Sequence, residues 1–428
     1  MKIAIFTDTY LPDKNGVSMS VDSFTKLLAD DGHQIMIFCP FGGRFKDKEY
    51  PNITIKRYIS ITAPSYKDMQ LALPFIWTAV RDLKEFNPDV VHIQTPLGIG
   101  WVGIWATKIL KLKNIQTYHT YIPDFLVYLK PKTLLGINKI TRFINNSKFN
   151  KTLASVDILE DNKTLAKLRA SLNKIADEIT DTSNSSNELD ERFGRDYTRI
   201  VYNRADLVLT PSAAMKKVLK QQGVKTKVEV MSNGVRYDFF KKKTNYHITN
   251  KIVYIGRLGH EKNVDVVIKA FNIVQQSIPE LRLDIYGDGP AKQTLQSLVK
   301  SFGIGNKVKF LGMYDINKVS QKLCEYDFFV MASTVETQGI VILEAMASGL
   351  PVLGVNKLAV PEVIKNGKNG YISEPFDELG MAKNMIKMLE SDKKLEQFGK
   401  YSLEIAKSHE ISKCKDRLLQ TYEKVAKI

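Results

Sequence analysis

Two glutamates eight residues apart, Glu336 and Glu344, lie in the run ETQGIVILEAMASGLP that ends at Pro351. The preceding DFFVMAS reads as a buried strand and Gly339 as the opening of a helix. The free amides of that helix then point beyond the strand end, where they favour a phosphate. Glu336 in the loop and Glu344 on the helix can flank one elongated ligand, with one carboxylate on a ribose diol and the other near a sugar or phosphate. Taken alone, the same spacing is ordinary helix surface in most sequences. A second cluster is GRLGHEKN, from Gly256 to Asn263, directly after another strand. Its two cations, Arg257 and Lys262, can reach both phosphates of a diphosphate from one side and stabilise the charge of a departing nucleoside diphosphate. Surface arginines and lysines are more often simply solvated. Nearer the N-terminus, Asn15-Gly16 follows the opening strand, and His92 and His119 each end a further one. A histidine at an apolar strand end is more often a satisfied structural residue, and that is the reading for His92.

The elements that must carry these residues alternate. KIAIFT, HQIMIFCP, DVVHIQ, NIQTYHT and DLVLTPS are short apolar runs with helical patterns between most of them, which implies a parallel sheet covered on both faces. A second βα series begins near residue 250 with KIVYIGRL and continues through LRLDIYGDGP, KVKFLG, DFFVMAS, PVLGVN and GYIS. The 428 residues are therefore expected to form an α/β protein of two Rossmann-like parallel-sheet domains facing a cleft. The first domain covers 1–235 and the second 236–400, with a boundary in the charged stretch near 233–250. A helix over 401–428 is expected to pack back on the first domain. Apolar residues at helical spacing (Leu134, Ile137, Ile140, Ile144, then Leu165, Leu168, Leu172, Ile175) interrupt the rhythm and predict a helical insertion over about 125–198.

These motifs resemble the retaining glycosyltransferases of family 4, which have the GT-B fold, and the resemblance covers nearly the whole chain. Glu336 and Glu344 match the Glu-x7-Glu signature with its EAMASGLPV continuation. The resemblance implies that Glu344 binds the nucleotide ribose, that Glu336 lies by the donor sugar, and that the amides of Thr337, Gln338 and Gly339 touch sugar hydroxyls. It puts Arg257 and Lys262 on the diphosphate. Gly16 matches the family's glycine loop, with Asn-Gly in place of the usual pair of glycines. His119 matches the histidine beside the donor sugar, where it would bond the 6-hydroxyl rather than act as a base, and Asp124 is a candidate to face the acceptor. No Asp-x-Asp pair has a metal-ligand context and enzymes of this fold do not need a metal for the donor, so neither metal nor cofactor is expected; the nucleotide sugar is a substrate. DTYLPDKNGVSMSV, SITAPSYKDMQLALP and YHTYIPDF look most like the diacylglycerol glucosyltransferases, which implies a UDP-linked glucose donor and a lipid acceptor.

Composition narrows the partners. The formal charge is +16, with 44% hydrophobic and 25% charged residues, which fits a folded chain with an anionic partner. From Lys130 to Lys151 there are six basic residues (Lys130, Lys132, Lys139, Arg142, Lys148 and Lys151) and no acidic one. Such a segment can lie on an anionic bilayer, each exposed cation adding roughly 1 kcal/mol. It can equally be a helical hairpin packed on the first domain with its charges in water. Cys39, Cys324 and Cys414 are too scattered for a disulfide framework, and MKIAIFTDTYLP lacks the pattern of a signal peptide. The expected place is the cytoplasmic face of the membrane, peripherally bound. Three rival readings are a same-fold enzyme with a soluble or cell-wall acceptor, a nucleotide-sugar epimerase, and a nucleic-acid binder. No acid/base set supports the second and no compact basic module with interleaved aromatics supports the third.

Overall fold

The computed structural model describes residues 1–13, 15–41, 45–63, 66–72, 76–121, 186–313 and 315–427. Two units divide the chain: Met1–Leu209, Lys217–Glu229 and Thr421–Ile428 form the first, Thr210–Lys216 and Val230–Gln420 the second. Asp124, Lys130, Lys132, Lys139 and Arg142 lie outside the described residues, as does all of the expected insertion before residue 186.

The first half runs β1 (Lys2–Phe6), α1 (Gly16–Asp30), β2 (Gln34–Pro40), β3 (Ile53–Tyr58), β4 (Ser60–Ala63), β5 (Tyr66–Ala72), α2 (Ile76–Phe86), β6 (Val90–Ile93), α3 (Gly98–Leu110) and β7 (Asn114–Thr117). It resumes with α4 (Ser186–Tyr202), β8 (Leu207–Thr210), α5 (Ala213–Gln221) and β9 (Val228–Val230). Its seven-stranded sheet has the order β3-β2-β1-β6-β7-β8-β9. Strands β6 and β7 are buried throughout, β1 and β2 in all but their first residue, which is why they read as unbroken apolar runs rather than alternating ones. Phe6 and Phe38 stack at 4.2 Å inside it. Strands β4 and β5 form a separate antiparallel hairpin.

The second half runs β10 (Lys251–Ile255), α6 (Val264–Val274), β11 (Arg282–Tyr286), α7 (Lys292–Ser301), β12 (Val308–Gly312), α8 (Ile316–Lys322), β13 (Phe328–Val330), α9 (Ile340–Ala347), β14 (Val352–Val355), α10 (Val360–Val363) and β15 (Gly370–Ser373). Helices α11 (Glu378–Met388), α12 (Asp392–Ser408) and α13 (Ile411–Ala426) close it. The six strands are ordered β12-β11-β10-β13-β14-β15, and the pairs are parallel. Order reverses at β10/β13 here and at β1/β6 in the first sheet. Loops at such a reversal part and leave room for a ligand at the carboxyl ends of the strands.

Two expectations change. The helix expected over 401–428 is interrupted at His409-Glu410, where one carbonyl and one amide turn to Val235 instead of their own helix: the Val235 amide donates to the His409 carbonyl (2.8 Å) and the Ile411 amide to the Val235 carbonyl (3.0 Å). Residues 421–428 belong to the first unit. The charged stretch Lys241–Asn250 is no free linker. Lys243 is 5% exposed, its ammonium donating to the carbonyls of Tyr326 (2.8 Å) and Cys324 (3.3 Å), and Tyr246 reaches the Gly349 carbonyl (3.0 Å). Burial lowers the Lys243 pKa.

Candidate active site

The loop after β10 brings Lys262 to Glu336, in the loop after β13, at 2.7 Å. Both side chains are largely buried, at 22% and 15% exposure. Burial pushes the Glu336 pKa up, but the charge and hydrogen bond of Lys262 outweigh it, and the net shift is downward. Asn263 fastens the two loops, its amide donating to the Ala332 carbonyl and the Thr334 hydroxyl, both at 3.3 Å. Arg257 lies in the same loop, half-buried, with its carbonyl accepting from the Tyr254 hydroxyl (3.0 Å). This loop rests directly on the one after β11: the Leu258 amide donates to the Asp288 carbonyl (2.9 Å), and a Cβ on Gly287 would stand 1.9 Å from the Gly256 oxygen. Asp-Gly at 288–289, readable as a plain turn, is thus the floor under the cationic loop.

Gly339 caps α9 in the left-handed region, φ 78°, and a Cβ there would meet Ile342 at 2.7 Å. No side chain caps this helix end, and the Glu336 loop leads directly into it. Thr337 is half-buried in that loop. The part expected of Gln338 falls to its backbone amide, and its side chain has a different one. Its side chain is 2% exposed, accepting from the Asn233 amide (2.9 Å) and donating to the Ser232 hydroxyl (2.6 Å), which in turn meets His409 (2.9 Å). That side chain is a brace for the loop. Glu344 sits inside α9, and burial pushes its pKa up to about 7, opposed by Arg236. Sequence reading passed over Arg236 because it sits outside both motifs.

In the first unit, His119 follows β7 and its Nε2 lies 2.6 Å from Gln94 Oε1. The Gln94 amide nitrogen is 3.1 Å from His92 Nδ1, which also meets the Tyr422 hydroxyl at 2.6 Å; His92 Nε2 meets the Thr117 hydroxyl at 2.6 Å. His92 is 2% exposed, and burial lowers its pKa to about 3 and that of His119 to about 4. His92 is the satisfied structural histidine its position implied. With an acceptor carbonyl on Nε2, neutral His119 carries its proton there and keeps Nδ1 as an acceptor.

Gly16 opens α1, and Asn15 before it bonds the amides of Val17 (3.1 Å) and Ser18 (3.0 Å), so a side chain already covers this helix end. Asp8, unremarked in the sequence, does the same for α3. It is 4% exposed and accepts from the Thr95 hydroxyl (2.8 Å) and the amides of Leu97 (2.8 Å) and Ile99 (2.6 Å). Burial lifts its pKa to about 6 against those bonds. Its only sequence signal was an acidic residue just past a buried strand. Among the described residues no three His, Cys, Asp or Glu side chains gather as a metal site, and no helix is long and apolar enough to cross a membrane.

Two family profiles match. "Glycosyltransferase Family 4" matches residues 14–155 and 178–239, and "Glycosyl transferases group 1" matches 235–404. The alpha-monoglucosyldiacylglycerol synthase of Streptococcus pneumoniae is 26% identical over 370 residues, 82% of this chain and 70% of its own length. That of Acholeplasma laidlawii is 26% identical over 381 residues, 89% and 86% of the two chains. The structure of Anabaena HepE in complex with UDP and glucose superposes with a TM-score of 0.68 at 17% identity, covering 99% of each chain. With two parallel sheets of this order and both profiles matched in sequence, the chain belongs to the family 4 glycosyltransferases of the GT-B fold.

Proposed function

We propose that the protein transfers glucose from UDP-glucose to 1,2-diacylglycerol at the cytoplasmic face of an anionic membrane, with retention of anomeric configuration. The observation that carries the transfer chemistry is the Lys262–Glu336 pair beside the uncapped end of α9. It is a largely buried cation held in place by a neighbouring carboxylate until a diphosphate arrives. Lys262 and Arg257 then take the charge that grows on the diphosphate as the bond from the anomeric carbon to the phosphate oxygen breaks. The acceptor hydroxyl attacks from the same face and its proton passes to that phosphate oxygen, so no carboxylate nucleophile is required. Ionised Glu344 receives the two ribose hydroxyls, Glu336 stays by the sugar, and the amides of Thr337, Gln338 and Gly339 donate to sugar oxygens. His119, neutral with Nδ1 as acceptor, receives the sugar 6-hydroxyl. No metal is needed, since the cations and the helix end supply the positive field. Uridine is supported by the UDP that HepE binds, and glucose and diacylglycerol by the names of the two synthases. Asp124 and the basic stretch from Lys130 through Lys132, Lys139 and Arg142 remain the proposed acceptor and membrane side.

The test is a screen of nucleotide sugars against diacylglycerol vesicles, with product mass by mass spectrometry and anomeric configuration by NMR. An α-glucosyl lipid formed from UDP-glucose is the expected product. Transfer only to soluble acceptors, or a β-linked product, overturns the reading.

A further inference from the structure

Among the described residues of the first unit, exposed large apolar side chains are not scattered. Among its described residues those left exposed are Phe41 (53%), Phe45 (40%) and Ile59 (65%). They share one edge. Pro40 pairs in register with Tyr58, and the Phe41 amide continues the ladder to the Tyr58 carbonyl at 2.8 Å, so Phe41 and Ile59 are the next in-register neighbours. Tyr58 is buried at 5%, which turns the following residue, Ile59, to the outer face together with Phe41.

The loop that bears Phe45 is fastened to the same strand ends. Arg57 grips Asp47 through two nitrogens (3.0 and 2.5 Å) and donates to the carbonyls of Pro40 (2.9 Å) and Leu11 (2.5 Å). Asp47 in this loop is engaged with Arg57, while Lys46, Lys48 and Glu49 are exposed and form no ion pair with a described residue, which leaves one cation in excess. Apolar side chains at an edge, flanked by exposed cations in excess over acids, match an anionic bilayer in both of its layers: the acyl boundary takes the rings and the headgroup phosphates take the ammonium groups.

We infer that Phe41, Phe45 and Ile59, with Lys46 and Lys48, form a membrane seat on the first unit, separate in sequence from the 130–151 segment. The inference rests on the reading of a membrane-embedded acceptor. The seat lies at the carboxyl ends of β2 and β3, the end of the sheet at which His119 also stands.

The test uses the full chain and vesicles of phosphatidylcholine and phosphatidylglycerol at seven to three, first without diacylglycerol. The variant F41S/F45S/I59S is expected to float at least tenfold less than the parent, and K46E/K48E to lose binding on these vesicles but not on pure phosphatidylcholine. Phe45→Trp guards against misfolding: its indole fluorescence is expected to be quenched by lipids brominated on the acyl chain. With acceptor present, the triple variant is expected to lose transfer to vesicle diacylglycerol while keeping transfer to a monomeric short-chain diacylglycerol. Equal flotation of parent and triple variant, an unquenched indole in the Phe45→Trp variant, or a parent that self-associates through this edge and no longer binds vesicles would each overturn the seat. Lost flotation in the triple variant, with no glucosyl transfer by the parent, leaves the seat standing and removes the proposed acceptor instead.

Discussion

The loops ending β10 and β13 and those ending β6 and β7 occupy equivalent places in two parallel sheets, yet they hold their functional groups in opposite ways. The second unit uses ions. Lys262 and Glu336 neutralise each other at 2.7 Å, and Glu344 is lifted by burial to a pKa of about 7. The first unit uses a neutral chain of Thr117, His92, Gln94 and His119, closed by Tyr422, in which burial holds both imidazoles uncharged. Under the proposed function the difference follows from what each would meet. A diphosphate needs countercharge that can be redistributed as it leaves, whereas a sugar hydroxyl needs a fixed acceptor whose proton inventory does not change.

If the ionic half carries the chemistry, Lys262→Ala is the largest effect: kcat is expected to fall about 10²–10³-fold, the loss typical of one transition-state donor. Circular dichroism should show the fold retained, and a variant with normal turnover would break the comparison at its first point. Removing this cation also leaves Glu336 buried without its partner, so its pKa should rise, readable by carboxylate NMR.

Glu344→Gln comes next. In its proposed role the ionised form accepts two ribose hydroxyls, so kcat/KM for the donor is expected to climb as pH rises through about 7 in the parent. The glutamine variant should be about tenfold weaker at pH 8 and flat with pH, the size of one charged hydrogen bond. Linkage runs the other way for stability. A carboxyl whose folded pKa exceeds its unfolded one stabilises the fold below the unfolded value of 4.5 and loses that contribution as pH rises through 7. The Tm difference between parent and variant should therefore shrink between pH 5 and pH 8.

The neutral half gives smaller effects. Gln94→Leu strips the acceptor from His119 Nε2 and is expected to reduce kcat/KM about threefold to tenfold, mostly in KM, the range of one hydrogen bond. A wild-type KM would separate His119 from the sugar. Because the folded pKa of His92 lies near 3, against 6.5 unfolded, the chain should lose stability as pH falls below 6.5, by about 1.4 kcal/mol per pH unit for this group. Urea unfolding at pH 7, 6 and 5 measures the slope, and an absent slope would mean that the imidazole is charged in the fold. Removal of divalent ions with EDTA is the smallest expected effect, less than twofold on initial rate, since the site carries its own cations.

Legibility differed with the kind of residue. Glu336, Glu344, Arg257 and Lys262 stood out because a site built on one βα unit keeps its residues within a short run of sequence, and the reversal of strand order then joins two such runs. The buried strands were readable for the same local reason. Asn263 as the staple between loops, Gln338 as a brace to Ser232, Arg236 beside Glu344 and Asp8 under α3 were not readable in those roles, because each acts on a residue far along the chain. The break at His409-Glu410 belongs with them: local pattern favoured a continuous helix, and a bridge to Val235 took its backbone bonds.

The sequence by itself determined two parallel α/β sheets and which loops would be charged, since apolar runs and motif spacing are local properties. Tertiary structure alone decided that Lys262 rests on Glu336, that Glu344 is raised toward neutrality, and that His119 hangs from a chain ending at Tyr422. Ion pairing, desolvation and tautomer depend on neighbours brought from dozens to hundreds of residues away, and only the folded chain supplies those neighbours.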